Sequence, residues 1–114
     1  MELTDKQRKY LESCMTFDED MQAKLKDPDF QQAWLSETIK DYIETGDYSA
    51  FYRGLEYVIK ARGSVKEFAE QVGMNRANLV DLLHGKTKTS PNFTTITKIL
   101  NGLGYTLSVD KLPA

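Results

Sequence analysis

Residues 64–85 have the sequence SVKEFAEQVGMNRANLVDLLHG, and this stretch decides the fold. Ser64 and Glu67 have the spacing of a capping box, in which a hydroxyl and a carboxylate satisfy free backbone N–H groups at a helix start. Apolar residues then follow at helical spacing as far as Gly73, a residue type that adopts positive φ at little cost. Asn75 is a favourable N-cap for a second helix. The stretch therefore predicts two short amphipathic helices joined by a tight turn.

A helix-turn-helix is the motif that this pattern favours. Ala69 is small, which lets a second helix cross the first closely. The apolar residues of the two helices would share one core: Val65, Phe68, Ala69 and Val72 from the first, and Leu79, Leu82 and Leu83 from the second. Two core helices of an ordinary bundle are the alternative interpretation. The caps, the glycine and the leucine stripe together favour the motif, whose second helix usually enters the major groove of DNA.

The length and composition indicate one folded domain. The 114 residues suit a single domain, and a hydrophobic content of 40% is ample for a core. The chain has no run of about 18 apolar residues and no signal-peptide pattern, so we expect a cytoplasmic protein without a membrane contact. Cys14 is the only cysteine, which argues against an intrachain disulfide and a thiolate metal cage and favours a small apolar role.

The two halves of the chain differ in charge. Residues 1–60 contain thirteen acidic and eight basic residues, a balance of −5. Residues 61–114 contain four acidic and seven basic residues, a balance of +3. Such asymmetry predicts separate surfaces for separate partners, because a phosphate-binding surface requires local rather than overall positive charge.

No residues form a pattern typical of catalysis. His84 is the only histidine and follows the second helix of the motif, where we expect its side chain to cap terminal carbonyl groups. The sequence suggests neither a serine or cysteine triad nor a glycine-rich phosphate loop. We therefore expect no enzyme activity, no cofactor and no metal site.

Helical patterns surround the motif, so we expect an all-α fold. Residues 1–26 predict an N-terminal helical extension, which is either a frayed terminus or a segment that docks on a partner. Residues 27–114 predict the helix-turn-helix domain. Its further helix boundaries fall at Asp27-Pro28, at Gly46-Asp47, at Gly63 and, after a polar loop over residues 86–92, at Phe93 and at Gly102 or Gly104.

The apolar period changes from helical to alternating at residues 105–109. Tyr105, Leu107 and Val109 alternate with polar residues, which is the pattern of a short strand. A lone strand has unpaired backbone groups on both edges, so it requires a partner. We expect the same strand of a second copy to supply it, giving a homodimer; an N-terminal segment or another protein is the alternative.

The order of these features over residues 17–109 resembles the probable addiction-module antidote proteins, HigA-like antitoxins within the Cro-like, XRE-type helix-turn-helix class. The shared landmarks are Leu25-Lys26-Asp27-Pro28, Trp34-Leu35, Gly46-Asp47, Phe51, Leu55, Val58, Ala61-Arg62-Gly63, Asn92-Phe93 with Thr95, Lys98-Ile99-Leu100, and Leu103-Gly104 with Leu107. The resemblance implies a Cro- and λ-repressor-like domain of five helices. Residues 1–16 extend beyond the usual start of the group, and the loop 86–92 is long and basic.

The resemblance also implies a function. It is that of a DNA-binding antitoxin of a type II toxin–antitoxin module, which neutralises a RelE-like or HigB-like ribonuclease and represses its own operon. A toxin that binds RNA must be basic, so the acidic half of the chain would face it. A solitary phage-type or chromosomal regulator and a protein-interaction module without DNA binding are the alternatives.

The first residues of a recognition helix enter the groove of double-stranded DNA, here expected to be a palindromic operator. Arg76 could contact guanine or clamp a phosphate, Ala77 could contact a thymine methyl, and Asn78 could pair with adenine or a phosphate. Asp81 could accept a hydrogen bond from cytosine or pair with Arg76. The remaining candidates for the DNA-binding surface are Ser64, Lys66, Asn75, Lys86 and Lys88, with phosphate contacts expected from the serine and the lysines.

Overall fold

The computed structural model describes residues 4, 18–86 and 91–113, and these contain six helices and no strand. The all-α class is thereby confirmed for the described part of the chain. We number the helices α1, whose described part is residues 18–24, α2 (Pro28–Thr45), α3 (Tyr48–Arg62), α4 (Val65–Val72), α5 (Arg76–Leu83) and α6 (Phe93–Gly102). None of these helices is both long and apolar enough to span a bilayer.

Side-chain caps start the helices where the sequence predicts them. The Asp27 carboxylate accepts a hydrogen bond from the Asp29 N–H at 2.9 Å, and Pro28 is the first residue of α2. At the other end of α2, Gly46 has φ 72° and Asp47 then caps α3 by accepting from the Ala50 N–H at 3.1 Å. Each cap satisfies a backbone group that the helix itself leaves free. The predicted boundaries between α2 and α3 are confirmed.

Helix α3 is the central element of the core. It packs against α2, α4 and α5, while α4 also packs against α5 and α6. Its buried residues form one broad face of the helix, opposite the exposed Arg53 and Lys60: Phe51, Tyr52, Gly54, Leu55, Val58 and Ile59. From the N-terminal extension, Met21 and Leu25 join the same core and are 7% and 0% exposed. The described part of the extension is therefore packed against the rest of the chain.

Helices α2 and α3 approach closely at Gly54. A Cβ atom at this position would lie 2.6 Å from the Thr38 Cγ2 atom, so only glycine fits here without a shift. The Trp34 indole N–H donates to the Gly54 carbonyl at 3.0 Å and links the two helices. The Thr38 hydroxyl donates to the Trp34 carbonyl at 2.7 Å, which fixes the side chain that faces the glycine.

The predicted strand at residues 105–109 is absent from this single chain. These residues follow α6 without regular secondary structure. A strand exists only through hydrogen bonds to a neighbouring strand, and the described residues supply none. Pairing with a second copy therefore stays a prediction, as do the Cro-like assignment and the domain boundary at residues 26 and 27.

Candidate nucleic-acid interface

The start of α4 carries one half of the predicted capping box. The Ser64 Oγ atom accepts a hydrogen bond from the Glu67 backbone N–H at 3.0 Å. Phe68 and Ala69 are buried, whereas Ser64 and Lys66 are exposed. The hydroxyl proton of the serine is not used by the cap, so it remains available to a phosphate oxygen.

A glycine turn links α4 to α5. Gly73 has φ 71°, and its N–H donates to the Glu70 carbonyl at 3.3 Å. The Met74 N–H donates back to the Ala69 carbonyl at 2.8 Å. These two bonds form a Schellman motif, which requires the left-handed conformation that glycine adopts most readily. The predicted role of Gly73 is confirmed.

Helix α5 presents its first turn to solvent. The Asn75 Oδ1 atom accepts from the Asn78 N–H at 3.1 Å and fixes the helix start. Arg76, Ala77 and Asn78 are exposed. On the opposite face, Leu79 and Leu83 are 0% and 4% exposed. The helix therefore buries its leucines and displays three adjacent side chains at its N-terminus.

The remaining candidate residues differ in position. Lys86 is exposed, while Asp81 is half-buried and forms no ion pair with Arg76 within the described residues. Lys88 lies outside the described residues. Leu82, which the sequence pattern assigns to the buried stripe, is only half-buried, because the stripe that meets α3 and α4 is centred on Leu79 and Leu83.

The prediction for the side chain of His84 is wrong. Its Nε2 atom lies 2.8 Å from Glu56 Oε2 on α3, instead of capping the carbonyl groups that end α5. The backbone N–H of His84 performs the capping, donating to the Val80 carbonyl at 3.0 Å. Glu56 also lies 3.5 Å from the Lys60 ammonium group. The pairing ties the end of α5 to α3, and the local pattern around the histidine gives no signal of a partner 28 residues away.

A polar cluster around Gln31 was not predicted. Gln31 is 4% exposed, and its amide N–H donates to the Leu25 carbonyl at 2.8 Å. Its Oε1 atom accepts from Arg62 Nη2 at 2.6 Å and Nε at 3.1 Å, and from the Tyr105 hydroxyl at 2.9 Å. The Arg62 guanidinium also lies 5.8 Å from the centre of the Tyr105 ring. The cluster joins the turn after α1, helix α2, the last residue of α3 and the start of the C-terminal segment.

No group of three or more histidine, cysteine, aspartate or glutamate side chains in the described ranges could hold a metal ion. The candidate nucleic-acid interface consists of the N-terminus of α5, the exposed polar side chains of its first turn, and the exposed Lys66 and Lys86. Such a surface is suited to binding an anionic polymer, since phosphate groups bind helix N-termini and lysines while side chains reach the bases.

A sequence model of the family described as probable addiction module antidote protein matches residues 13–111. The chain belongs to this family. The match spans most of the chain and includes all five helices from α2 to α6. It confirms the predicted relationship to addiction-module antidotes and points to a regulatory protein. No curated protein and no solved structure matches the chain.

Proposed function

We propose that this antidote-family protein is the antitoxin of a type II toxin–antitoxin module, which neutralises a small basic toxin of the RelE or HigB type and represses its own operon. The family match supports the antitoxin role. The exposed first turn of α5 is the single observation that supports DNA recognition, because the exposed residues of this helix, Arg76, Ala77 and Asn78, all lie in that turn.

In this proposal the residues of α5 have distinct tasks. Arg76 contacts guanine or a phosphate, Ala77 contacts a thymine methyl, and Asn78 contacts adenine or a phosphate. Asn75 and Ser64 first fix the two helix starts through their caps, and their remaining amide and hydroxyl protons face phosphates. The exposed Lys66 and Lys86 neutralise phosphates of the DNA backbone. The same task is proposed for Lys88, which lies outside the described residues.

A homodimer is part of the same proposal. Leu107, Val109 and Leu112 in the C-terminal segment are 38%, 100% and 86% exposed, which is unfavourable for a single chain in water. Pairing of this segment with a second copy would cover them and satisfy free backbone groups. Two recognition helices about 34 Å apart would then contact the half-sites of a palindrome.

Fluorescence anisotropy with the DNA upstream of the gene tests the DNA-binding part. We expect binding that resists excess competitor DNA, weakens with salt and saturates at two chains per site. Arg76→Ala should weaken specific binding by about 1–3 kcal/mol. Lys40→Ala removes an exposed cation from α2 and serves as the control, with a smaller effect expected. Equal affinity for the upstream DNA and for competitor would reject sequence-specific repression.

The toxin part is tested with the product of the reading frame next to the gene. Co-purification of that product with this protein, and rescue of cells from its toxicity, are the expected results. A chain that binds its operator while the neighbouring product neither binds nor kills would instead be a solitary regulator.

A further inference from the structure

A surface groove runs along the α2/α3 hairpin, and none of its lining residues belongs to α4 or α5. Its volume is about 570 Å³, which is enough to admit one or two side chains of a partner. Phe51 and Gly54 form its buried floor, and the half-buried rings of Trp34, Tyr42 and Tyr57 form its walls. The groove is therefore aromatic and lies apart from the proposed DNA-contacting helices.

The aromatic walls are held in place by neighbouring side chains. Trp34 and Tyr57 pack edge to face with ring centres 5.9 Å apart, and the indole N–H is held by the Gly54 carbonyl. Tyr42 packs against Phe51 with ring centres 5.1 Å apart. Because these contacts fix the rings before any partner arrives, little side-chain freedom would be lost on binding.

The rim of the groove is acidic. Glu37, Asp41 and Asp47 are exposed at its edge, against a single cation, Arg53. Neither Glu37 nor Asp41 forms a salt bridge with any described residue. Two unpaired carboxylates beside aromatic faces suit a guanidinium group, which forms bidentate salt bridges and stacks on aromatic rings.

We propose that this groove is the toxin-docking site and that it takes an arginine-bearing apolar segment of the basic toxin. This inference rests on the proposed antitoxin function. Charge complementarity favours the toxin as the partner that binds this groove. The rim of the groove has a net negative charge, whereas a ribonuclease carries positive charge where it binds RNA. No residue that lines the groove belongs to α5, so the docked segment itself does not contact the first turn of that helix.

The test measures the affinity of the neighbouring reading-frame product for charge-reversal variants. Asp41→Lys places a lysine at the rim, and Glu44→Lys places one on the same helix outside the groove. Both variants change the net charge equally, so their difference reports the groove alone. We expect Asp41→Lys to weaken binding about 10-fold more than Glu44→Lys does. Arg53→Gln should tighten binding a few-fold, since it removes a like charge.

Trp34 supplies a second readout, because it is the only tryptophan of the chain. With 5-fluorotryptophan incorporated, its single ¹⁹F resonance should shift when the unlabelled product of the neighbouring frame is added. The spectra of the free variants also show whether each one has folded around the indole.

Each other outcome overturns the inference in a distinguishable way. Equal weakening by Asp41→Lys and Glu44→Lys, with an unchanged ¹⁹F resonance in a formed complex, places the toxin elsewhere and leaves the antitoxin function standing. A resonance that shifts with the concentration of this protein alone assigns the groove to a second copy. Absence of any binding to the wild-type chain rejects the antitoxin function together with the docking site.

Discussion

Replacing Gln31 by leucine should lower the free energy of unfolding by about 1–3 kcal/mol. Gln31 is 4% exposed, and its amide is the centre of a cluster that joins four parts of the chain. Leucine has a similar volume, so the change removes the polar contacts with little change in packing. The substitution therefore isolates the energetic value of the cluster.

The magnitude follows from the separate contacts. Loss of the donor leaves the buried Leu25 carbonyl without its side-chain partner, which costs about 1–3 kcal/mol. Loss of the acceptor frees the Arg62 guanidinium and the Tyr105 hydroxyl. Arg62 is exposed and Tyr105 is half-buried, so both can regain hydrogen bonds to water and their contribution is smaller. Burial of the leucine methyl groups stabilises the folded state by about 1 kcal/mol and offsets part of this loss.

Urea unfolding followed by circular dichroism measures the effect. With an m-value of about 2 kcal/mol/M, the midpoint should fall by about 0.5–1.5 M without a change in slope. Gln32→Leu is the matched control, because Gln32 is the exposed neighbour on α2 and the substitution is identical. Gln31→Glu should be intermediate, since a carboxylate keeps the contacts to Arg62 and Tyr105 and repels the Leu25 carbonyl. Free energies of unfolding for Gln31→Leu and Gln32→Leu that agree within about 0.5 kcal/mol would refute the reasoning.

Three further substitutions test other parts of the structure by the same unfolding assay. Tyr52→Phe should leave the free energy of unfolding unchanged or raise it by up to about 1 kcal/mol, because the buried Tyr52 hydroxyl has no hydrogen-bond partner within the described residues. A decrease of more than about 1 kcal/mol would contradict this expectation. Gly102→Ala should lower the free energy of unfolding by about 1–3 kcal/mol, because a Cβ at Gly102 would overlap Val72 Cγ1 and lie 3.2 Å from the Phe68 ring. Asn101→Ala, at the exposed neighbouring position, should have little effect. Tyr57 donates to Asp18 at 2.6 Å, and this hydrogen bond, followed by burial, raises the pKa of Tyr57 above its ordinary value of 10.0. The folded state therefore holds this proton more tightly than the unfolded chain, and the stabilisation is complete below about pH 10 and lost as the pH rises through the folded-state pKa. Tyr57→Phe should unfold with a weaker dependence on pH above about pH 10, and an identical alkaline profile in the two proteins would show that the bond contributes nothing.

Local chemistry explains what the sequence predicted correctly. Asp27, Asp47 and Asn75 cap helices because their side chains reach N–H groups two or three residues ahead, and Gly73 takes a conformation that other residues avoid. All of these interactions join residues close in the chain. The exposure of the first turn of α5 follows in the same way, because its leucines select the face that is buried.

Long-range pairing explains what the sequence did not show. Gln31 is a polar residue, yet hydrogen bonds to the nearby Leu25 carbonyl and to the distant Arg62 and Tyr105 side chains make its burial favourable. The contact of His84 with Glu56 depends on how α5 crosses α3, which no local pattern specifies. Residues 105–109 have the alternating pattern of a strand, but a ladder needs a second strand, and the described residues of this chain supply none.

The position of α3 connects the two proposed surfaces. It forms one wall of the aromatic groove, and it packs directly against α4 and α5. Arg53 lines the groove and also the small hollow beside His84 and Gly85, while Glu56, three residues further along α3, holds the end of α5 through His84. A partner in the groove therefore does not need to touch α5 to influence it. Under the proposed function, α3 lines the toxin site and contacts the operator-binding helix, so the packing of α5 against α3 is the direct structural route between the two sites.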